Sequence, residues 1–235
     1  MAHDIKALAF DVGGTVFDWQ TPIRAEIDAR ADRLGVTVDS KAFAFDWRTR
    51  MFGILAEVRG GDLPWMNVDA IHRRALAAMK DNYPDLAFSD PDLDELNRVW
   101  HRLTAWPDFP DALVRLRERY TVIVLTVLSW AIAVDCSRAS DVTWDGVLSC
   151  EFLGHYKPEP EVYWAAGRLL GLEPAAVMMV ASHGADLRAA KDAGLATAYV
   201  APKLKEPDFP GFTEASPDEF DVVAADFTEL ADKLC

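Results

Sequence analysis

The strongest constraint on the fold lies near the start of the chain, where a short apolar run ends on a carboxylate. Residues 6–10 read Lys-Ala-Leu-Ala-Phe, and Asp-Val-Gly-Gly-Thr follows as residues 11–15. An apolar run of this length predicts a buried strand, and open α/β sheets place their chemistry at the carboxyl ends of their strands. The glycines allow a sharp turn that brings backbone N–H groups close to Asp11. The pattern therefore indicates a carboxylate able to act as a nucleophile, or an Asp that only caps the following turn.

The remainder of the chain divides into two kinds of pattern. From about residue 22 to residue 106, apolar residues recur at helical spacing. From residue 110 onward, helices alternate with short β-branched runs, which predicts a parallel sheet. The predicted helices are 43–58, 68–80, 91–103, 112–119, 160–170 and 186–193, and the predicted strands are 121–126, 177–181, 196–200 and 221–224.

We therefore predict an α/β fold with a doubly wound parallel sheet. Its core domain would comprise residues 1–18 and 107–235, and a helical domain at 19–106 would interrupt it after the first strand. An insert at that position is expected to cover the carboxyl ends of the strands, where it can exclude water and contact a substrate. A second possibility is that its helices form a dimerisation surface. Residues 203–217, rich in proline and acidic residues, are predicted to form a surface loop.

Composition narrows the class of partner. The 235 residues carry a net charge of −14, so no basic surplus is available to bind nucleic acid or an anionic membrane. The three cysteines, Cys136, Cys150 and Cys235, lack metal-ligand spacing, which favours free thiols in a reducing compartment. We find no signal-peptide pattern and no apolar run of about 18 residues. These features predict a soluble cytoplasmic protein. They do not exclude a small anionic substrate, which needs only a local Arg, Lys or helix N-terminus.

Four segments carry polar residues at the predicted strand ends. They are Asp11, Thr126 at the end of TVIVLT, Lys157 in GHYKPEPEVY, and the segment 180–186, which reads Val-Ala-Ser-His-Gly-Ala-Asp. In this order they resemble the motifs of the haloacid dehalogenase superfamily, and the helical insert is similar to that of its type II 2-haloacid dehalogenase branch. The resemblance covers nearly the whole chain.

The resemblance implies a hydrolase that needs no metal or cofactor. The Asp11 carboxylate would displace the leaving group at C2 of a small anionic 2-substituted carboxylic acid, and water would hydrolyse the resulting ester. Lys157 would keep Asp11 ionised, whereas Asp186 and His183 would orient or deprotonate the water. These four residues form the expected catalytic set. Relatives of this kind are often homodimers.

The resemblance also implies a substrate-binding set. The Thr126 hydroxyl would bind the substrate carboxylate, helped by N–H groups of the turn at residues 11–14, and Arg48 would meet the leaving halide. The full set expected to bind substrate is Val12, Gly13, Thr15, Trp19, Arg48, Thr126, Val127, Tyr163 and Ser182.

Each of these residues also has a structural interpretation. Lys157 and Arg48 would then be solvated, Asp186 a first-turn acid favoured by the helix dipole, and His183 a hydrogen-bonded structural histidine. Thr126 would simply end a strand. We interpret the remaining internal histidines, His72, His101 and His155, as structural or surface groups.

Two departures from the type II pattern concern the leaving group. Gly13 stands where an aromatic residue is usual, and Val127 stands where an Asn usually helps to hold the halide, which valine cannot do. His183 replaces an Asn found in many relatives. Halide release remains the expectation. The main alternative is hydrolytic ring opening of L-azetidine-2-carboxylate, in which a tethered amine leaves. An aromatic wall such as Trp19 or Trp130, or a nearby carboxylate such as Asp18, would receive the cation.

Two further classes are less favoured. Phosphatases of this superfamily carry a second Asp at the position of Gly13 and an extra carboxylate where Ala181 and Ser182 stand, so phosphoryl transfer through Mg²⁺ is not expected. A non-catalytic protein that binds a small carboxylate would not need the complete set of Asp11, Lys157 and Asp186.

Overall fold

The computed structural model describes residues 4–204, 216 and 219–235. The chain forms two compact units. The helical unit comprises Asp18–Leu103, and the sheet unit comprises the residues before and after it. The predicted loop at 203–217 lies outside the described residues, apart from residues 203, 204 and 216.

The sheet unit is built on six parallel strands in the order β5-β4-β1-β6-β7-β8, and a separate two-stranded sheet pairs β2 with β3. The strand order reverses at β1, because later strands are added on both sides of it, which is typical of doubly wound α/β folds. This order confirms the predicted fold class. The strands are β1 (Ala7–Phe10), β2 (Phe17–Asp18), β3 (Thr104–Ala105), β4 (Thr121–Thr126), β5 (Gly146–Ser149), β6 (Val177–Ala181), β7 (Ala196–Val200) and β8 (Val222–Ala224).

The sheet register places the predicted site residues on one edge. Phe10, the last residue of β1, pairs with Val124 of β4 on one side and Val180 of β6 on the other. All four residues of β1 are buried. Because the three strands are parallel, the residues that follow their carboxyl ends meet at the same edge of the sheet.

Helices pack around this sheet and make up most of the helical unit. Those of the helical unit are α1 (Gln20–Leu34), α2 (Ser40–Gly60), α3 (Val68–Met79) and α4 (Asp90–Asn97). Those of the sheet unit are α5 (Phe109–Arg117), α6 (Trp130–Ala139), α7 (Pro160–Leu170), α8 (Gly184–Asp192) and α9 (Phe227–Leu234).

The predicted element bounds are confirmed where local signals are strong. Strands 121–126, 177–181 and 196–200 and helix 160–170 have the predicted bounds. The predicted helix 43–58 is longer at both ends, because the Asp39 side chain caps its start and Gly61, with a φ of +79°, ends it. The predicted helix 91–103 is wrong beyond Asn97, where the chain tightens into the 3₁₀ segment Arg98–Arg102.

Candidate active site

Asp11 follows β1 directly and lies at the start of a tight turn. Asp11 is only 5% exposed, and its backbone N–H donates to the carbonyl of Val180 at 2.9 Å. Gly14 has a φ of +91°, a conformation that favours glycine. The N–H of Gly14 donates to the carbonyl of Phe17 at 2.9 Å and closes the turn. The sequence Asp-Val-Gly-Gly-Thr thus holds one carboxylate in a fixed place at the sheet edge.

The two carboxylate oxygens of Asp11 have different surroundings. Oδ2 accepts hydrogen bonds from the Thr15 hydroxyl at 2.7 Å and from Nδ1 of His183 at 3.0 Å. Oδ1 lies 3.3 Å from Nζ of Lys157. The Thr15 hydroxyl oxygen in turn accepts from the N–H of Ser182 at 3.0 Å, so the contact at Oδ2 is supported from the next strand. Oδ1 therefore makes fewer hydrogen bonds within the described residues than Oδ2.

These contacts keep Asp11 ionised despite its burial. Burial alone would raise the pKa of this carboxyl, but Lys157, His183 and Thr15 together hold the pKa of Asp11 well below its usual range. Because the carboxylate carries no proton to donate, the nitrogen of His183 that faces it must carry the hydrogen. The site thus presents a buried anion with one lightly occupied oxygen.

Lys157 joins Asp11 to a second carboxylate. Its Nζ lies 2.7 Å from Oδ2 of Asp186, and the hydroxyl of Tyr163 donates to Oδ1 of Asp186 at 2.6 Å. Burial alone would lower the pKa of Lys157, but Asp186 and Asp11 raise it. Burial and Asp186 raise the pKa of Tyr163, so the phenol keeps its proton. Lys157 is 8% exposed, which contradicts the interpretation of a solvated loop lysine.

Thr126 and the turn at residues 11–14 offer hydrogen-bond donors of the kind that bind a carboxylate. Thr126 is fully buried, and its hydroxyl oxygen accepts from the N–H of Leu128 at 3.1 Å, which leaves the hydroxyl hydrogen to donate. Of the four N–H groups expected to help, those of Asp11 and Gly14 are used by the protein itself. Among the described residues, the N–H groups of Val12 and Gly13 have no protein acceptor.

Sequence reasoning missed one buried group beside Lys157. Cys150 follows β5 and is fully buried. Burial raises the pKa of this thiol to about 12, so it stays protonated. The strand β5 was not predicted, because its four residues, Gly-Val-Leu-Ser, are too few to form a recognisable apolar run.

Arg48 and Trp19, both predicted to bind substrate, lie together in the helical unit. The Arg48 guanidinium lies 4.5 Å from the centre of the Trp19 ring and 5.1 Å from that of Phe52. Arg48 is 3% exposed, so it is not the solvated arginine of the structural interpretation. The Trp19 ring also stacks on Trp100 with their centres 6.1 Å apart. A buried guanidinium on aromatic faces is suited to bind a small anion.

His72 continues the same aromatic cluster. Its ring stacks on that of Trp100 with centres 3.9 Å apart, and within the described residues neither ring nitrogen has a hydrogen-bond partner. Burial, Arg48 and His101 hold the pKa of His72 well below its usual range of about 6.5. The folded chain thus keeps this histidine neutral.

Because the folded chain keeps His72 neutral, we predict that the free energy of unfolding falls at acid pH. Below about pH 6.5 the unfolded chain protonates this residue and the folded chain does not, so the stability it contributes above that pH is lost as the pH falls. Between pH 6.5 and pH 5 the free energy of unfolding should fall by up to about 2 kcal/mol from this group alone. In His72→Phe, which keeps an aromatic ring on Trp100, that part of the slope should vanish. Urea unfolding between pH 6.5 and pH 5 measures this slope. His155→Phe, which replaces an exposed histidine, is the control and should keep the part of the slope that comes from His72. Equal slopes in wild type and His72→Phe would contradict the prediction.

A group of three side chains near Lys157 has donor atoms of the kind that ligate metals. His155, Glu159 and Glu161 each offer an atom, and these atoms lie within 4.8 Å of one another. Exposed groups of this composition are common without a metal, and we assign none. Within the part of the chain that the structure describes, no helix is long and apolar enough to cross a membrane.

Comparison with known proteins relates this site to one family. The model of the haloacid dehalogenase-like hydrolases matches residues 5–194. The (S)-2-haloacid dehalogenase of Xanthobacter autotrophicus is 28% identical over 204 residues, which cover 84% of this chain and 75% of that protein.

Solved structures agree with this result. The crystal structure of an L-2-haloacid dehalogenase superposes with a TM-score of 0.89 at 34% identity and covers 98% of both chains. That of a defluorinating L-2-haloacid dehalogenase superposes with a TM-score of 0.87 at 31% identity, and covers 98% of this chain and 95% of the other.

Proposed function

Because the chain belongs to the haloacid dehalogenase-like hydrolase family, we propose that it hydrolyses small L-2-haloacids to 2-hydroxy acids through an ester on Asp11. The observation that carries this proposal is the buried contact of an ionised Asp11 with Lys157, which is itself paired with Asp186. Such an arrangement keeps a carboxylate nucleophilic in a site from which water is largely excluded. The catalytic set is Asp11, Lys157, Asp186 and His183. The helical domain, at 19–106, is proposed to act as the cap.

The first step is a displacement at C2. Oδ1 of Asp11 attacks, the bond from C2 to the halogen breaks, and the halide leaves with the electron pair. Oδ1 is the better candidate because the described residues give it a single contact, at 3.3 Å from Lys157, whereas Oδ2 makes two shorter bonds. The N–H groups of Val12 and Gly13 and the Thr126 hydroxyl are proposed to hold the substrate carboxylate, and Arg48 to receive the halide.

The second step is hydrolysis of the ester. Water attacks Cγ of Asp11, and Asp186 accepts its proton, while Lys157 and the Tyr163 hydroxyl hold Asp186 in place. The negative charge of the tetrahedral intermediate develops on Oδ2, which already accepts from Thr15 and His183. Collapse breaks the bond from Cγ to Oδ1, and the departing alkoxide takes the proton held by Asp186 to give the 2-hydroxy acid. Asp11 then loses a proton to solvent and is a carboxylate again. Because only the first step inverts C2, an L-2-haloacid gives a D-2-hydroxy acid.

In this proposal His183 donates to the developing oxyanion, whereas the resemblance implied that it would orient or deprotonate the water. His183→Ala removes one of two donors to Oδ2 and should lower kcat by about 10²- to 10³-fold. His183→Asn keeps an N–H donor in reach and should recover most of that loss. Single-turnover kinetics should place the defect in ester hydrolysis, with the ester accumulating. A variant in which ester formation slows instead would contradict this role.

Product analysis tests the reaction class. The protein is incubated in excess chelator with L-2-chloropropionate, D-2-chloropropionate, L-azetidine-2-carboxylate and an aryl phosphate in separate samples. We expect D-lactate from the L-chloro acid only. Formation of 4-amino-2-hydroxybutyrate instead would favour the ring-opening alternative, to which the missing donor at Val127 points. Phosphate release in a parallel sample that contains Mg²⁺ and no chelator would overturn the proposed mechanism.

A further inference from the structure

The space above Gly13 is filled by the side chain of Leu128. A Cβ atom built on Gly13 would lie 3.4 Å from Cδ1 of Leu128 and 3.5 Å from its Cγ, which is van der Waals contact. The backbone of Gly13 does not have a positive φ, so the turn does not itself require glycine there. Leu128 is 1% exposed. An isobutyl group therefore lies against the turn that begins with the nucleophile.

Leu128 is held in this position by both of its backbone polar groups. Its N–H donates to the Thr126 hydroxyl oxygen at 3.1 Å, and its carbonyl accepts from the Ser149 hydroxyl at 2.7 Å. Ser149 and Thr126 are paired in the register of β5 and β4, so the sheet itself supports both contacts. The leucine thus occupies a fixed place rather than the tip of a free loop.

From these contacts we infer that Leu128 determines the chain length of the carboxylic acid that the site accepts. The inference rests on the proposed function, because it takes the substrate carboxylate to lie between Thr126 and the N–H groups of Val12 and Gly13. The carbon chain beyond C2 then meets an apolar wall made by Leu128. The wall is rigid, so each added methylene beyond its limit is excluded rather than accommodated.

The experiment measures chain-length preference in two ways. Turnover is compared for L-2-chloropropionate and L-2-chlorohexanoate, and calorimetry measures binding of the unreactive acids propionate, butyrate, pentanoate and hexanoate. Leu128→Ala removes three carbons from the wall. Since one buried methylene corresponds to about fourfold in affinity, the preference for the longer acid should rise at least tenfold in kcat/KM and in binding. Leu128→Phe should shift the preference toward the shorter acids.

Two controls separate a pocket effect from a packing effect. Leu116→Ala removes the same atoms from a fully buried leucine of α5 and should leave the preference unchanged. If Leu128→Ala does not fold, Leu128→Val makes a smaller cavity and should shift the preference in the same direction.

The outcomes distinguish this inference from the proposed function. An unchanged ratio in the Leu128 variants, with wild-type turnover intact, overturns the role of Leu128 alone. A shifted binding preference without any turnover of chloro acids supports the role of Leu128 and overturns the proposed reaction. A preference that shifts equally in Leu116→Ala would also overturn the inference, because the effect would then be general loosening of the core.

Discussion

Asp11→Asn is expected to abolish turnover, with a loss of at least about 10⁴-fold, while the protein remains folded. The amide has the shape of the carboxylate but is not a nucleophile toward C2, so no ester can form. Lys157 keeps its 2.7 Å contact with Asp186, so the variant does not leave that lysine without a buried partner. Initial rates on L-2-chloropropionate measure the effect, and D-lactate binding by calorimetry shows whether the pocket survives.

The control for this substitution is Asp145→Asn. Asp145 accepts from Arg117 and from the N–H of Val122 in the same unit, away from the proposed site. Its loss should lower stability modestly and leave kcat unchanged. Residual activity in Asp11→Asn above about one thousandth of wild type, in a sample shown by mass to be free of deamidation, would argue against a covalent step.

Isotope labelling tests the same step without a mutation. In a single turnover in H₂¹⁸O, the hydroxyl oxygen of lactate should come from Asp11 and remain ¹⁶O, because water attacks Cγ of the ester and not C2. The peptide that contains Asp11 should then gain about 2 Da, as one oxygen is exchanged. Lactate labelled in the first turnover would show direct attack by water and overturn the ester mechanism.

The sequence predicts the sheet well because its signals are local. Short apolar runs such as 121–126 and 177–181 are typical of buried strands. In a parallel sheet, the polar residues that follow such strands meet at one edge. The contacts of Asp11 with Lys157 and of Lys157 with Asp186 join residues far apart in sequence, and the resemblance rather than any periodicity brought them together. The structure adds their distances and their burial.

The parts that were not predicted depend on tertiary contacts. Leu128 reads as one more apolar residue after a strand, and only the coordinates place its side chain against Gly13. The same is true of α6, whose sequence Trp-Ala-Ile-Ala-Val-Asp-Cys-Ser-Arg-Ala has no clean helical stripe. The Ser129 cap at its start and its packing against β5 stabilise this helix in the fold. His183 is a similar case. The sequence predicted that it lies between a strand and a helix, but not that its Nδ1 faces Oδ2 of Asp11.

Lys157→Met should have the largest effect on stability, because it removes a buried cation from between two carboxylates. Nζ of Lys157 lies 3.3 Å from Asp11 and 2.7 Å from Asp186, and all three side chains are about nine-tenths buried. Removing one partner of such a network leaves an uncompensated buried charge and costs about 3–5 kcal/mol. Urea unfolding at pH 7 measures this loss, and turnover should be absent.

The loss of folding stability in Lys157→Met should depend on pH, because the substitution changes the pKa of Asp11. In wild type the pKa of Asp11 is held below that of the unfolded chain, so its contribution to stability is present above about pH 4 and is lost as the pH falls further. Without Lys157 the largest of the causes that lower this pKa is lost, and we expect burial to raise the pKa of Asp11 above the unfolded value despite the remaining bonds from His183 and Thr15. Its contribution then reverses, being present at low pH and lost as the pH rises. Lys157→Met should therefore be less destabilised at pH 5 than at pH 7.

Two companion variants separate the structural role of Lys157 from its catalytic role. In Lys157→Met with Asp186→Asn, one of the two buried charges is also removed, so part of the stability should return while turnover stays absent. Lys203→Met breaks a half-buried lysine–aspartate pair with Asp108, at 2.9 Å, and should cost no more than about 1 kcal/mol. If Lys157→Met unfolds at the same urea concentration as Lys203→Met, Lys157 does not compensate two buried charges. If it turns over L-2-chloropropionate at the wild-type rate, Asp11 needs no cation to act as the nucleophile.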